Sequence, residues 1–506
     1  MTVAVLGCGP VGQTAALLLA RRRVPVVLLD EHLARDPVGS KSICHQRDTL
    51  DVWAWAGAAC LAEEGLTWTM ARTFHRDREL FSYRLPEGGD ARLPPFVNLS
   101  QARVEEVLDE LIAAEPLIDV RRGHRITGLS QANSVEVHCE TPDGMRRIEA
   151  DYAIACTGAR GDAVRHDLGV ELAGHSFDDR FLICDIRAGL AGWARERRFF
   201  FDPPWNPGRQ VLIHPCPGSE YRIDWQVPAG YDLAGEEASG ALDARIRAII
   251  GETPYEIVWK SVYRFHTRLV DRMRVGRVLL AGDCAHLMAP FGARGLNSGV
   301  ADAENAAWKL ACVLRGAGGE GLLESYHTER HAAAVENVAI TTATMDFLVP
   351  QNEKQREHRL DVLSRAAADP AATAEVDSGR LAEAFWYPDS PLTTPDPARP
   401  FTGRPPRGTT APPGPGVLLP DITVTAGRLR DLARPGFLLL TAPGVVVDTP
   451  ARVVPVETGG PLGVRDGEIW VIRPDAYVAA VVHSADEASA ALKRAAGFEQ
   501  STKNPS

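Results

Sequence analysis

The chain has 506 residues, 45% hydrophobic and 24% charged, with a formal net charge of −11. That length exceeds what one core needs and predicts two or three domains, while the acidic balance argues against nucleic acid or an anionic membrane as the main partner. No apolar run approaches the ~20 residues that span a bilayer, and nine scattered cysteines without C-x-x-C spacing predict buried, reduced thiols in the cytoplasm rather than a disulfide frame or a metal site.

The first element is an apolar strand over 3–6, so close to the first residue that no signal peptide is expected. It leads into Gly7-Cys-Gly-Pro-Val-Gly12, a helix over 14–22, and a second strand over 24–29 that ends in Asp30 and Glu31. In this G-x-G-x-x-G turn the first glycine permits the bend and the second lets a pyrophosphate approach the backbone. The third packs helix on strand, and Asp30 is placed to accept ribose hydroxyls. Adjacent carboxylates disfavour a 2′-phosphate, so FAD or NAD fits this site better than NADP. Cys8 reads as a small residue filling tight space.

Further along, Gly39-Ser40-Lys41 and His45 precede a helix over 49–59, and Gln101 opens an amphipathic helix over 102–114. Strands over 134–140 and 147–149 flank an Asp143-Gly144 turn, and a buried strand over 151–156 ends in Thr157-Gly158-Ala159-Arg160-Gly161. Residues 176–266 change character: runs over 198–201, 210–214, 221–227 and 256–259 are aromatic and β-branched, predicting an inserted sheet. An apolar run over 278–281 then ends in Gly282-Asp283, followed by His286, Pro290, Gly295-Leu296-Asn297 and a long helix. Asp283 either caps that helix or, with the backbone N–H groups of the turn, faces a ligand that develops negative charge. A Pro- and Gly-rich stretch over 395–420 reads as a linker or strapped loop, and 417–500 as a small α/β unit.

Together these motifs resemble the class A FAD-dependent aromatic monooxygenases, built on the para-hydroxybenzoate hydroxylase fold. The resemblance is strongest to the branch of 3-(3-hydroxyphenyl)propionate hydroxylase, phenol hydroxylase and the aromatic-polyketide hydroxylases. It implies an α/β chain whose Rossmann-like FAD-binding domain covers 1–175 and 271–390. A mainly β substrate domain covers 176–270, with a segment near 72–97; a linker over 391–416 joins a thioredoxin-like C-terminal domain over 417–506.

The resemblance also assigns FAD contacts to Gly7, Gly9, Pro10, Val11, Gly12, Asp30, Glu31, Lys41, Gln101, Gly158, Asp283, Pro290, Gly295, Leu296 and Asn297. The family's Asp-Gly-Ala-Arg-Ser fingerprint departs here to Thr157 and Gly161, where contacts to FAD and the nicotinamide are implicated.

The implied cycle reduces FAD with NADH or NADPH, forms a flavin C4a-hydroperoxide with O2, and hydroxylates a small phenolic or polycyclic aromatic. Baeyer–Villiger insertion, epoxidation and oxidative decarboxylation stay open as alternative outcomes, and so does a flavin-binding protein that has lost reduction. A homodimer is an expectation of the resemblance alone. No catalytic residue declares itself; His45, His214 and Tyr221 are candidates for a base, with Trp225 able only to shape the pocket, while His286 reads as structural.

Overall fold

The computed structural model describes residues 1–35, 39, 41–85, 91–379, 381–403 and 411–498. Six strands form one sheet in the order Arg274–Val275, Val278–Leu280, Tyr152–Ala155, Val3–Leu6, Val26–Leu29, Ile118–Arg121. All neighbours are parallel except the first pair. Every residue of the four central strands is buried. This is why they read as unbroken apolar runs: helices cover a parallel sheet on both faces. Pro10–Arg21 packs between Arg294–Leu314 and Gln101–Ala113, the last capped by the Ser100 hydroxyl accepting from Ala102 N–H.

A second, eight-stranded sheet has the order His286–Leu287, Tyr255–Val270, Leu172–Ala188, Glu220–Val227, Gln210–Cys216, Glu196–Phe201, Met70–His75, Arg78–Arg84. Its longest strand starts at Leu172, a few residues before the expected edge of the insertion, and bulges between Ser176 and Arg180. Helix Ala241–Ile250 covers one face, burying Leu242, Ile246 and Ile250 against Tyr221, Ile223, Trp225 and Val227. The other face looks toward the parallel sheet, across the space where the functional residues gather.

The C-terminal unit has four strands in the order Arg452–Pro455, Leu438–Thr441, Ile469–Ile472, Val478–Val482, with the first pair parallel and the rest antiparallel. Helix Ala485–Ala495 packs on it. Residues 404–410 of the expected linker and 499–506 of the terminal unit lie outside the described residues. What precedes 404 is a strap: Leu392 is buried, Thr394 N–H donates to Ala479 C=O at 2.8 Å, and Ser390 Oγ donates to Glu329 at 2.6 Å.

Buried charges bind the unit to the rest. Glu329 accepts from Lys309 Nζ at 2.7 Å, Asn305 Nδ2 at 2.8 Å and Arg473 Nη2 at 2.9 Å, and neither Lys309, Glu329 nor Arg473 reaches water. Asp475 receives Arg473 and the Trp308 indole, and Asp51 receives Arg428 and Arg434. Among the described residues no single helix is long and apolar enough to cross a membrane. All nine cysteines are free; Cys60 is exposed, contrary to the expectation of uniformly buried thiols.

Removing one partner of a buried pair strands the other charge. Glu329→Ala is therefore expected to cost about 3–5 kcal/mol, read by urea unfolding, with faster proteolysis beyond residue 390. The Lys309 and Arg473 cations hold the Glu329 carboxyl far below its usual range, although burial opposes them. A depressed carboxyl contributes stability above its unfolded value of about 4.3 and loses it as pH falls through the folded value. The gap between wild type and variant should therefore close in acid.

Candidate active site

A cleft of about 1020 Å³ runs from the glycine turn, past the Asp283 turn, to the uncovered face of the eight-stranded sheet. At its first end Gly7 sits at φ +107°, where a Cβ would lie 2.4 Å from Cys156 O, and a Cβ on Gly12 would lie 1.9 Å from Gly7 O. Those two glycines hold the turn together. Gly9 differs: a Cβ there meets nothing within 4 Å, so its backbone is open to the cleft. Asp30 closes the turn by accepting from Cys8 N–H and His32 N–H, both at 2.9 Å. Arg35, which the sequence reading missed, donates to Cys8 C=O at 2.8 Å, Glu105 at 2.7 Å and Asp109 at 2.5 Å, clamping the turn onto helix Gln101–Ala113.

Midway, Gly282-Asp283 is held from behind. Asp302, fully buried, accepts from Gly282 N–H at 3.0 Å, His286 Nε2 at 2.8 Å and Arg330 Nε at 2.7 Å, and its carboxyl is held down at about 2 by Arg330 and His286 despite burial. His286 is thereby committed to structure. Asp283 itself opens to the cleft; the surrounding protein raises its carboxyl, with His286 and Lys41 pulling the other way. Helix Arg294–Leu314 starts from Ala293, a left-handed residue at φ +55°, with no side-chain cap, so first-turn N–H groups are left for a ligand beside Pro290, Phe291, Gly295 and Leu296.

At the far end, strand register sorts the sheet into rows across the cleft face. Arg197, His214, Arg222, Asp185 and Trp259 share one row. Phe199, Leu212, Asp224, Ile183 and Ser261 share the next. Arg222 makes a two-point bond to Asp185, Nε and Nη2 each at 2.7 Å. Burial together with Arg197 and Arg222 pushes His214 well below its usual range, so it is neutral. Phe181, Phe265 and Phe291 cluster with ring centroids 4.5–6.2 Å apart and make the wall between sheet and turn apolar. Among the described residues no group of His, Cys, Asp or Glu is arranged to hold a metal.

The structure brings Gly7, Gly9, Pro10, Val11, Asp30, Glu31, Lys41, Gln101, Gly158, Asp283, Pro290, Gly295 and Leu296 to this cleft, and of the base candidates only His214. Ser40, beside Lys41, lies outside the described residues. Gly12 and Asn297 are not at the cleft: Gly12 packs on Gly7, and Asn297 bonds Gln46 N–H and Cys44 C=O, both at 3.0 Å, tying strand Cys44–Gln46 to the long helix. His45 is a correction too. Strand alternation turns Cys44 to the cleft and His45 into the core, against Trp53 at 5.1 Å and Leu99 C=O at 2.9 Å, where burial drives it down to about 4.

Tyr221 and Trp225 fail for the same reason of parity, since they face helix Ala241–Ile250 while Arg222 and Asp224 face the cleft. The alternation of Arg222, Asp224 and Gln226 with apolar neighbours was the available signal. Where the Asp-Gly-Ala-Arg-Ser fingerprint departs, Thr157 Oγ donates to Cys284 Sγ at 3.2 Å, and a Cβ on Gly161 would lie 2.2 Å from Thr157 Oγ. The two departures from the family pattern are coupled.

A family model described as "FAD binding domain" matches residues 1–341. A flavin-dependent monooxygenase of Mycobacteroides abscessus is 30% identical over 78% of this chain and 84% of its own. A 3-(3-hydroxy-phenyl)propionate/3-hydroxycinnamic acid hydroxylase of Mycolicibacterium gilvum is 28% identical over 73% of this chain, and the alignment spans 64% of that protein. The crystal structure of the flavin-dependent monooxygenase PieE with FAD and substrate superposes with a TM-score of 0.83 over 98% of both chains at 24% identity, which establishes a shared fold.

Gly9→Ala should fold normally yet retain less FAD, because its methyl group enters the cleft; Gly12→Ala should lose about 1–3 kcal/mol or more by overpacking. Flavin absorbance per chain and melting curves separate the two. Gly161→Ser should destabilise alone and be relieved by Thr157→Ala, measured as the difference between single and double variants in thermal unfolding.

Proposed function

The chain belongs to the FAD-binding-domain family, and on that premise we propose that it is a flavin-dependent monooxygenase using NADH or NADPH and O2 to hydroxylate a phenolic or polycyclic aromatic substrate. One observation carries this reading: the cleft is continuous, joining a dinucleotide-type glycine turn to an aromatic-lined sheet face. Bound there, FAD supplies the redox and oxygen-transferring chemistry that no side-chain group in the cleft provides.

The chain's own residues fit that group and do the remaining work. Gly9 leaves backbone room for a pyrophosphate while Gly7 permits the tight turn, and Asp30 and Glu31 suit a ribose hydroxyl rather than a 2′-phosphate. Lys41 and Asp283 flank the middle of the cleft. The first-turn N–H groups at Gly295 and Leu296 favour negative charge on the ring edge that reaches them. Phe181, Phe265 and Phe291 exclude water between that position and the sheet. The polar row of Arg197, His214, Arg222 and Asp185 then orients a substrate hydroxyl or carbonyl.

The test is direct. Purified protein should be yellow, with FAD released on denaturation. A panel of resorcinol, 3-(3-hydroxyphenyl)propionate, 3-hydroxycinnamate and a polycyclic phenol should accelerate NAD(P)H oxidation for at least one member, giving a product heavier by one oxygen. Protein without flavin, or flavin reduction that no aromatic stimulates, overturns the reading. A ring-expanded or decarboxylated product replaces hydroxylation with the corresponding flavin chemistry.

A further inference from the structure

We propose that Asp224 is the base that removes the hydroxyl proton of the aromatic substrate; this role rests on the monooxygenase reading above. Asp224 is the one carboxylate in its row, flanked by Leu212 and Ile183 on the neighbouring strands, and it lines the cleft. Its Oδ1 is buried and has no hydrogen-bond partner. A buried polar atom left unbonded is costly unless a ligand completes it. Arg222, two residues away on the same face, is committed to Asp185 at 2.7 Å through two nitrogens, so a guanidinium is nearby while the Asp224 Oδ1 lone pairs remain open.

The charged and titratable groups on the same face of the strands beside Asp224 are Arg222 and Glu220 on its own strand, Asp185 and Arg187 on one neighbour, His214 and Cys216 on the other, and Arg197 one strand further. Burial pushes the Asp224 carboxyl up to about 7, Asp185 adds to the rise and Arg222 moderates it. A base is most effective when its pKa lies near the working pH. His214 is the poorer acceptor, because protonation would place a third cation beside Arg197 and Arg222. Protonating Asp224 instead removes a charge from between Leu212 and Ile183. In the step itself the substrate O–H bond breaks and the proton binds Asp224 Oδ1. The electron pair stays on the phenolate oxygen, within the field of Arg222 and Arg197, and enriches the ring carbons that receive oxygen.

The experiment compares wild type with Asp224→Asn and Asp224→Glu, using whichever phenol of the panel the wild type hydroxylates fastest. Wild-type kcat/KM for a neutral phenol should rise with pH through about 7 as the carboxylate forms, then level. In Asp224→Asn that limb should vanish and hydroxylation should fall about 10²–10⁴-fold. FAD content, melting temperature and phenol binding should hold, with NAD(P)H oxidation diverted to hydrogen peroxide. Rate should return as pH passes the phenol's own ionisation, and Asp224→Glu should keep the limb at about 7.

An Asp224→Asn profile that matches wild type overturns the base role alone, as does loss of phenol binding with no change in pH dependence. If Asp224→Asn does not fold, the wild-type limb and its retention in Asp224→Glu decide, and absence of the limb overturns the proposal. Failure of wild type to hydroxylate any phenol overturns the hydroxylation reading and this role with it.

Discussion

Asp302 is a carboxylate with no access to water, and it is bearable only because a backbone amide, an imidazole and a guanidinium all converge on it. Charge in that position is expensive unless every lone pair is used. Satisfying it fixes four things at once: the Gly282 turn, His286 on the edge strand, helix Arg294–Leu314 that carries Asp302, and helix Glu320–Leu348 that carries Arg330. Arg330 extends the network to Tyr387 and Ser298. The middle of the cleft is thus built from one side chain outward, and Asp283 is free for a ligand because its neighbour in space does the structural work.

The same economy of buried charge attaches the C-terminal unit. Its sheet holds none of the cysteines, and its buried charged contacts with the cleft-bearing body run through Arg473, Asp475, Arg428, Arg430 and Arg434. Their partners lie on the helices that back the cleft, Arg47–Ala56, Arg294–Leu314 and Glu320–Leu348. The unit therefore acts as a brace behind these helices, at a distance from the lining residues themselves.

Local signals were legible in the sequence, and non-local ones were not. The glycine turn, Asp30 and the Gly282-Asp283 segment could be read because their geometry is dictated within a few residues. Which face of a strand meets the cleft is decided by what packs on the other face. On Glu220–Val227 both faces are largely buried, so composition pointed to the large aromatics Tyr221 and Trp225 while the chemistry lay with Arg222 and Asp224. His45 was misread by one position for the same reason. Element ends shifted by a residue or two, as at Gln101–Ala113, because caps depend on tertiary partners. The Arg35 clamp had no local signature, since its carboxylate partners lie some seventy residues away.

The edge strand His286–Leu287 leaves the Asp283 turn and immediately pairs with Tyr255–Val270, Leu269 opposite His286 and Val270 N–H donating to Ala285 C=O at 2.9 Å. The roof over the cleft and the turn beneath it are consequently one hydrogen-bonded fabric. The turn that carries Asp283 is thus tied to the edge of the sheet by backbone pairing and not by side chains alone. Insertions in the surface loops of the sheet can change what enters at the rim while leaving that pairing in place.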